Sequence, residues 1–223
     1  MSVPYYVSPE QIIADKAEFA SKGIKRGRSV VVMSLDEGVL FVADNPSRAL
    51  HKIGEIYDRI GFAAVGKYNE FESLRVAGVR LADMRGYSYD RADVTVRTIA
   101  NAYAQTLGSI FIDAPKPYEV EIAVAEVSPE PSDDQLYRIS FDGSVHDELG
   151  FICMGGESET ISQKIGAAYD RGMSMADGLG LAFASLRTDI ASSELEVALL
   201  DRTKPRRKFS RLNHDRISNL LGQ

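Results

Sequence analysis

The sequence predicts an α+β fold in which two β-sheets stack face to face and helices cover both outer faces, a four-layer αββα sandwich. Three observations lead there. Strand-like and helix-like segments come in blocks (a helix, strands, two helices, strands, two helices, a strand) rather than alternating singly as a parallel α/β sheet requires. Two sheets built from such blocks each need their outer face covered, and the two helix pairs supply the cover. The 223 residues are 44% hydrophobic and 26% charged, the composition of a soluble globular protein with a sizeable core, and no Pro/Gly/Ser-rich linker divides them. A single domain over 1–223 is expected.

The elements follow from local chemistry. Ser8-Pro9-Glu10-Gln11 starts a helix: Ser8 can cap it, Pro9 suits its first position, and Gln11 can close a capping box. Ile13, Ala17, Ala20 and Ile24 then recur at helical spacing, and Gly23 is placed to end the helix. Residues 1–7 form an extension ahead of it. The runs Ser29 to Leu35 and Val39 to Ala43, separated by Asp36-Glu37-Gly38, read as a hairpin that Asn45-Pro46-Ser47 stops.

A short strand is expected over Ile60 to Val65, then helices over Tyr68 to Arg85 and Asp93 to Phe111. In the second, Val96, Ile99, Ala100, Tyr103, Leu107 and Ile110 share one stripe, and Pro115 and Pro117 break it. Strands are expected at Tyr118 to Val127, where Val120, Ile122 and Val124 alternate with acids, at Leu136 to Phe141 before the Asp142-Gly143 turn, and at Phe151 to Met154. Ile161, Ile165 and Ala168 mark one further helix, Leu179, Phe183 and Leu186 another, and Leu195 to Leu199 a last strand.

Composition narrows the function. A net charge of -6 argues against a general nucleic-acid binder, which needs a basic face to neutralise phosphates. The charge is unevenly spread: between Glu119 and Glu159 eleven acids face one basic residue, Arg138, whereas the basic C-terminal segment, 201–223, carries seven Lys/Arg and two Asp. Two solvated surfaces of opposite sign explain this, and subunit contacts are the alternative. No run approaches the roughly 20 apolar residues of a membrane helix, and the N-terminus has no signal-peptide pattern, so a cytoplasmic protein without membrane contact is expected. The one cysteine, Cys153, lies in an apolar run and reads as a buried thiol.

Little chemistry is visible. His51, His146 and His214 lie far apart, in no metal-ligand spacing. Ser144, His146 and Asp147 are triad residue types too close along one turn to converge. Gly155-Gly156 follows a strand but belongs to no phosphate-binding pattern, so no cofactor is expected and a close-packed turn is the reading. Asp44, at the end of the hairpin, is the one suggestively placed carboxylate.

Read together, SPEQ, SVVVMSLDEGVLFVADNPSRALHKIGEIYDRIGFAAVGKYNEFESLR, KPYEVEIAVAEV, LYRISFDGSVHDE, MGG and SELEVALLD resemble the proteasome α subunits of actinobacteria over nearly the whole chain. The resemblance implies the N-terminal nucleophile hydrolase sandwich and a seven-membered α ring that caps catalytic β subunits in an α7β7β7α7 core for intracellular protein degradation. It also implies a ring-shaped ATPase or other activator docking through its C-terminal tails.

Catalytic β subunits share this hairpin, but their chemistry needs a threonine at the head of the leading strand whose own α-amine is the base. Aligning Gly38 puts Arg28 at that place, behind 27 residues of chain, while Asp44 coincides with the β-type aspartate. A catalytically silent subunit is therefore implied. The extension corresponds to the tails that close the axial pore, with Ser2, Val3, Pro4, Tyr5, Tyr6 and Val7 as gate residues. Lys52 matches the lysine that receives an activator's C-terminal carboxylate, and Gly66 the glycine lining the same intersubunit pocket. The family's Val-Glu-Tyr-Ala on the first helix is here only Glu18-Phe19-Ala20, shifted by one. The alternatives are a self-processing hydrolase of the same fold, with Ser29 or a threonine as its new N-terminus, and a ring-forming binding protein without catalytic partners.

Overall fold

A computed structural model of the chain describes residues 8–186 and 191–222. The gate positions Ser2 to Val7 lie outside the described residues. The elements are α1 (Pro9–Lys25), β1 (Val30–Leu35), β2 (Gly38–Asp44), β3 (Ile53–Tyr57), β4 (Ile60–Gly66), α2 (Tyr68–Ser88), α3 (Val96–Asp113), β5 (Val120–Glu126), β6 (Gln135–Ile139), β7 (Val145–Glu148), β8 (Phe151–Met154), α4 (Ser158–Ala168), α5 (Met175–Ser185), β9 (Leu195–Asp201), β10 (Phe209–Arg211) and α6 (His214–Leu220). They build two antiparallel five-stranded sheets, ordered β10-β9-β2-β1-β8 and β3-β4-β5-β6-β7.

Period-two alternation divides each strand between two apolar layers. In β1, Val30 and Val32 enter the layer between the sheets, while Val31, Met33 and Leu35 meet α4 and α5. In β4, Ala63 and Val65 face inward and Ile60, Phe62 and Ala64 meet α2 and α3. Because both faces are covered, β1 and β2 read as continuous apolar runs. A fully buried side chain such as Phe41, Phe62 or Leu40 contributes roughly 1.5–3 kcal/mol. The predicted αββα layering is present, with α2 and α3 on one side and α4 and α5 on the other.

Several details differ from expectation. In β5 the alternation with acids is confined to Glu121 and the terminal Glu126; Ala123 and Ala125 take the inter-sheet face, where small side chains let the sheets approach. Helix α1 runs through Gly23 to Lys25, and that glycine faces the Glu119 side chain, where a Cβ would collide. Of its predicted stripe only Ala20 and Ile24 are buried; Ile13 is 55% exposed, with Ile12 and Phe19 at 46%. Thr95 caps α3, whereas Asp93 lies in a preceding 3-10 turn. Strands β3, β7 and β10 and helix α6 were not expected.

The two ends of the sandwich are built differently. Ile24 of α1 enters the inter-sheet layer at the end where β1 begins. At the other end Arg202, after β9, is nearly buried against Asp134, which precedes β6 and is 1% exposed. Its Nη1 and Nη2 donate to Asp134 at 2.8 and 2.9 Å, and further bonds reach the carbonyls of Leu35, Asp36 and Ser128. One guanidinium thus ties the β1–β2 turn of one sheet to the β5–β6 connection of the other.

Candidate functional site

The site is the end of the sandwich where β1 starts and β2 stops. The ladder that pairs Val30 with Ala43 continues one step, the Asp44 N–H donating to the Ser29 carbonyl at 3.0 Å. That register brings Arg28 beside Asp44, with Nη1 2.9 Å from Oδ1. Asp44 is buried; the guanidinium is 40% exposed. Ser29 is buried in continuous chain between Gly27 and β1. Gly155, at φ +106°, is packed so that an added Cβ would lie 3.0 Å from the Ser29 Cα, and the Gly156 N–H donates to the Gly27 carbonyl at 3.2 Å. The Gly155-Gly156 pair is thus the close-packed turn the sequence implied. A guanidinium stays protonated at any working pH and offers donors only, so Arg28 supplies neither nucleophile nor base.

Lys52 sits one residue before β3. Its carbonyl accepts from the Ala64 N–H at 3.1 Å, extending the β3–β4 ladder, and its own N–H donates to Glu196 Oε2 at 2.8 Å. The side chain crosses to the Arg28 carbonyl, 2.7 Å from Nζ. Desolvation by burial brings the ammonium from 10.5 down to about 8; Asp44 and Glu196 favour the charged form and Arg28 opposes it.

Gly66 closes β4 opposite Val120 at φ +116°, and an added Cβ would overlap the Glu119 carbonyl, so no other residue keeps this turn. The structure brings Lys52 and Gly66 to the same end, with Gly27-Arg28 between them: Lys52 bonds Arg28, while an added Cβ on Gly27 would lie 3.4 Å from the Gly66 nitrogen. Glu18 does not join them. It is exposed and pairs with Lys22 one turn on, at 2.6 Å, which holds its carboxyl below the usual range.

Sequence reading missed the residue that organises this end, Glu196 of β9. It is 7% exposed and accepts from the Lys52 and Ile53 N–H groups, the Asn45 amide and the Arg211 guanidinium, with His51 Nδ1 at 3.2 Å. Its signal was an acid inside the apolar run Leu195 to Leu200, a position that only pairing can sustain. Cys153 is buried and its thiol is pushed up to about 12 by that burial. Among the described residues no group of three or more His, Cys, Asp or Glu is placed to hold a metal ion, and no helix is long and apolar enough to cross a membrane.

The chain is similar to known proteins over nearly its whole length. The family model described as "Proteasome subunit" matches residues 24–197. The curated protein "Proteasome subunit alpha" of Kineococcus radiotolerans is 57% identical over 233 residues, covering 99% of this chain and 98% of that protein. Its namesake in Thermobifida fusca is 56% identical over 227 residues, covering 99% and 91%. That of a Nocardioides species is 58% identical over 231 residues, covering 100% and 91%.

Proposed function

Because the chain belongs to the proteasome subunit family, we propose that it is a noncatalytic α subunit of the 20S core, forming the outer seven-membered rings that gate substrate entry to the catalytic β subunits. The observation that carries this is Arg28. It heads β1 where a working subunit needs a free nucleophile and amine, and its charge is matched by the aspartate at the end of β2. An enzyme built on this hairpin would need that carboxylate for proton transfer; here it neutralises a guanidinium.

The family's other roles follow as parts of the same reading. Residues 1–7 are the gate, and 1–223 works as one domain in the cytoplasm. Lys52 receives the terminal carboxylate of an activator, a ring-shaped ATPase or another ring that presents C-terminal tails. The support is physical. An ammonium has three donors, and the Arg28 carbonyl takes one of them, leaving others for a carboxylate. Two unit charges about 4 Å apart at an effective dielectric of about 20 interact by roughly 4 kcal/mol before desolvation is subtracted. Gly66 keeps the neighbouring wall free of side chain.

Co-expression with β subunits followed by native mass measurement tests the reading. A stable assembly containing rings of this chain is expected. A chain that stays monomeric beside its β subunits would overturn it.

A further inference from the structure

We propose that Glu196 is the positioning residue for Lys52, a carboxylate of one sheet that fixes the backbone from which an ammonium of the other takes an activator's terminal carboxylate. This deepens the activator reading above and rests on it. Strand β9 pairs with β2 so that Glu196 lies beside Ala43, at the same end as Arg28 and Asp44. Leu195, Val197 and Leu199 of β9 meet α4 and α5, while Ala198 and Leu200 face the opposite sheet. Period two therefore turns Glu196 into the layer between the sheets, where only hydrogen-bond donors sustain a carboxylate. The start of β3 supplies them.

The backbone polar groups of Lys52 and Ile53 are all occupied here. The Lys52 N–H donates to Glu196 Oε2 at 2.8 Å and the Ile53 N–H to Oε1 at 3.3 Å. The Ile53 carbonyl accepts from Arg211 Nη2 at 2.9 Å, and Arg211 Nη1 bonds Glu196 in turn. The Lys52 carbonyl accepts from the Ala64 N–H at 3.1 Å, and Asn45 Nδ2 joins Glu196 Oε2 at 2.7 Å. These partners of Glu196 are donors, and the carboxylate meets them with two oxygens that only accept. An amide in its place sets an NH2 against donors whichever way it is turned. Charge matters as well as shape. Burial lowers the Lys52 ammonium, Asp44 and Glu196 favour its charged form, and Arg28 opposes it. Asp44 is already engaged by Arg28 at 2.9 Å, and Glu196 by Arg211, with His51 Nδ1 at 3.2 Å. Without the Glu196 charge this end keeps two guanidiniums and one carboxylate.

Two measurements on the assembled core test this. The pH dependence of Lys52 acetylation by acetic anhydride reads the ammonium directly. Binding of a fluorescent peptide carrying the C-terminal residues of the ring-shaped ATPase reads its function, with the same peptide amidated at its end as control. Glu196→Gln should move the acetylation midpoint below the wild-type value of about 8. A fall of roughly one unit cuts the charged fraction near pH 7.5 about threefold, so the peptide should bind at least about threefold more weakly. Glu196→Asp keeps the charge but draws the carboxylate back by one bond, out of reach of both N–H groups at once. It should hold the wild-type midpoint and still weaken the peptide. In a Lys52→Ala core, Glu196→Gln should change peptide affinity no further; an equal loss there would show a general structural effect and overturn the proposal. So would a Glu196→Gln core with wild-type midpoint and affinity, or, where that variant does not assemble, a Glu196→Asp core that binds as the wild type does. Those results leave the activator reading standing when Lys52→Ala alone weakens the peptide. A Lys52→Ala core that binds the free-carboxylate peptide as tightly as the wild type would sink that reading and this one together.

Discussion

Arg28 and Asp44 face each other across the open end of the β1–β2 hairpin, a half-exposed guanidinium 2.9 Å from a buried carboxylate. The pair makes this end a structural joint. Asp44→Asn should leave the specific peptidase activity of a properly assembled core unchanged while lowering the stability of the subunit. Breaking a fully buried pair costs about 3–5 kcal/mol, and the exposure of Arg28 reduces that to about 1–2 kcal/mol. Peptide hydrolysis and thermal melting of the same preparation separate the two effects; activity falling in step with the substitution, at equal assembly, would return Asp44 to catalysis.

Deleting Met1 to Val7 should raise small-peptide turnover by the assembled core without altering subunit stoichiometry. On the proposed gating role, copies of this segment at a symmetry axis would exclude substrates that the catalytic chamber could otherwise cleave. Turnover is to be compared where peptide entry limits the rate, and equal rates before and after truncation count against gating by this segment.

Lys52→Ala should assemble and keep basal activity but bind an activator's tail at least about tenfold more weakly. Truncating one partner of a hydrogen-bonded charge pair costs about 2–5 kcal/mol, and each 1.4 kcal/mol is tenfold. Several tails on one ring multiply the loss. Lys52→Arg should rescue in part, since it keeps the charge and changes the geometry. With the ammonium at about 8, binding should weaken as pH rises past that value, and a bound carboxylate, by favouring the charged form, moves the fall upward. For folding the sign is opposite. The lowered value means that Lys52 opposes folding most below pH 8 and that this cost is relieved between 8 and 10.5. Affinity measured across that range for both chains checks the binding claim; a pH-independent, Lys52-independent affinity places the carboxylate elsewhere.

Arg202→Ala should destabilise the subunit by about 3–5 kcal/mol, because it strands Asp134 in the interior without its cation. Arg202→Met should cost as much, since it too leaves the carboxylate alone, whereas Arg202→Met with Asp134→Leu should recover part of the loss. Denaturant unfolding of the three variants measures this; a double variant no more stable than Arg202→Met alone contradicts a pairwise lock.

The layers were legible because their strands and helices carry large apolar side chains at regular spacing: Val30 to Leu35, the stripe from Val96 to Leu107, and Ile161 with Ile165. What escaped was short or polar. Strand β7 is Val-His-Asp-Glu with no buried face, β10 has three residues, and β3 passes through Gly54 and Glu55 directly after a polar loop. Gly23 read as a helix stop because sequence cannot distinguish a glycine that ends a helix from one that makes room for Glu119. At the site, Asp44 was visible from its place at the end of the hairpin and Arg28 and Lys52 through the family resemblance, while Glu196 was not. Its partnership with Lys52 joins positions 144 residues apart and appears only when β9 pairs with β2.

The most direct test is the intact mass of this chain, taken from an assembled core after exposure to a threonine-directed covalent inhibitor. An unlabelled chain that retains residues ahead of Ser29 is the predicted result. A chain beginning at Ser29, or one carrying a stoichiometric adduct, would contradict the account.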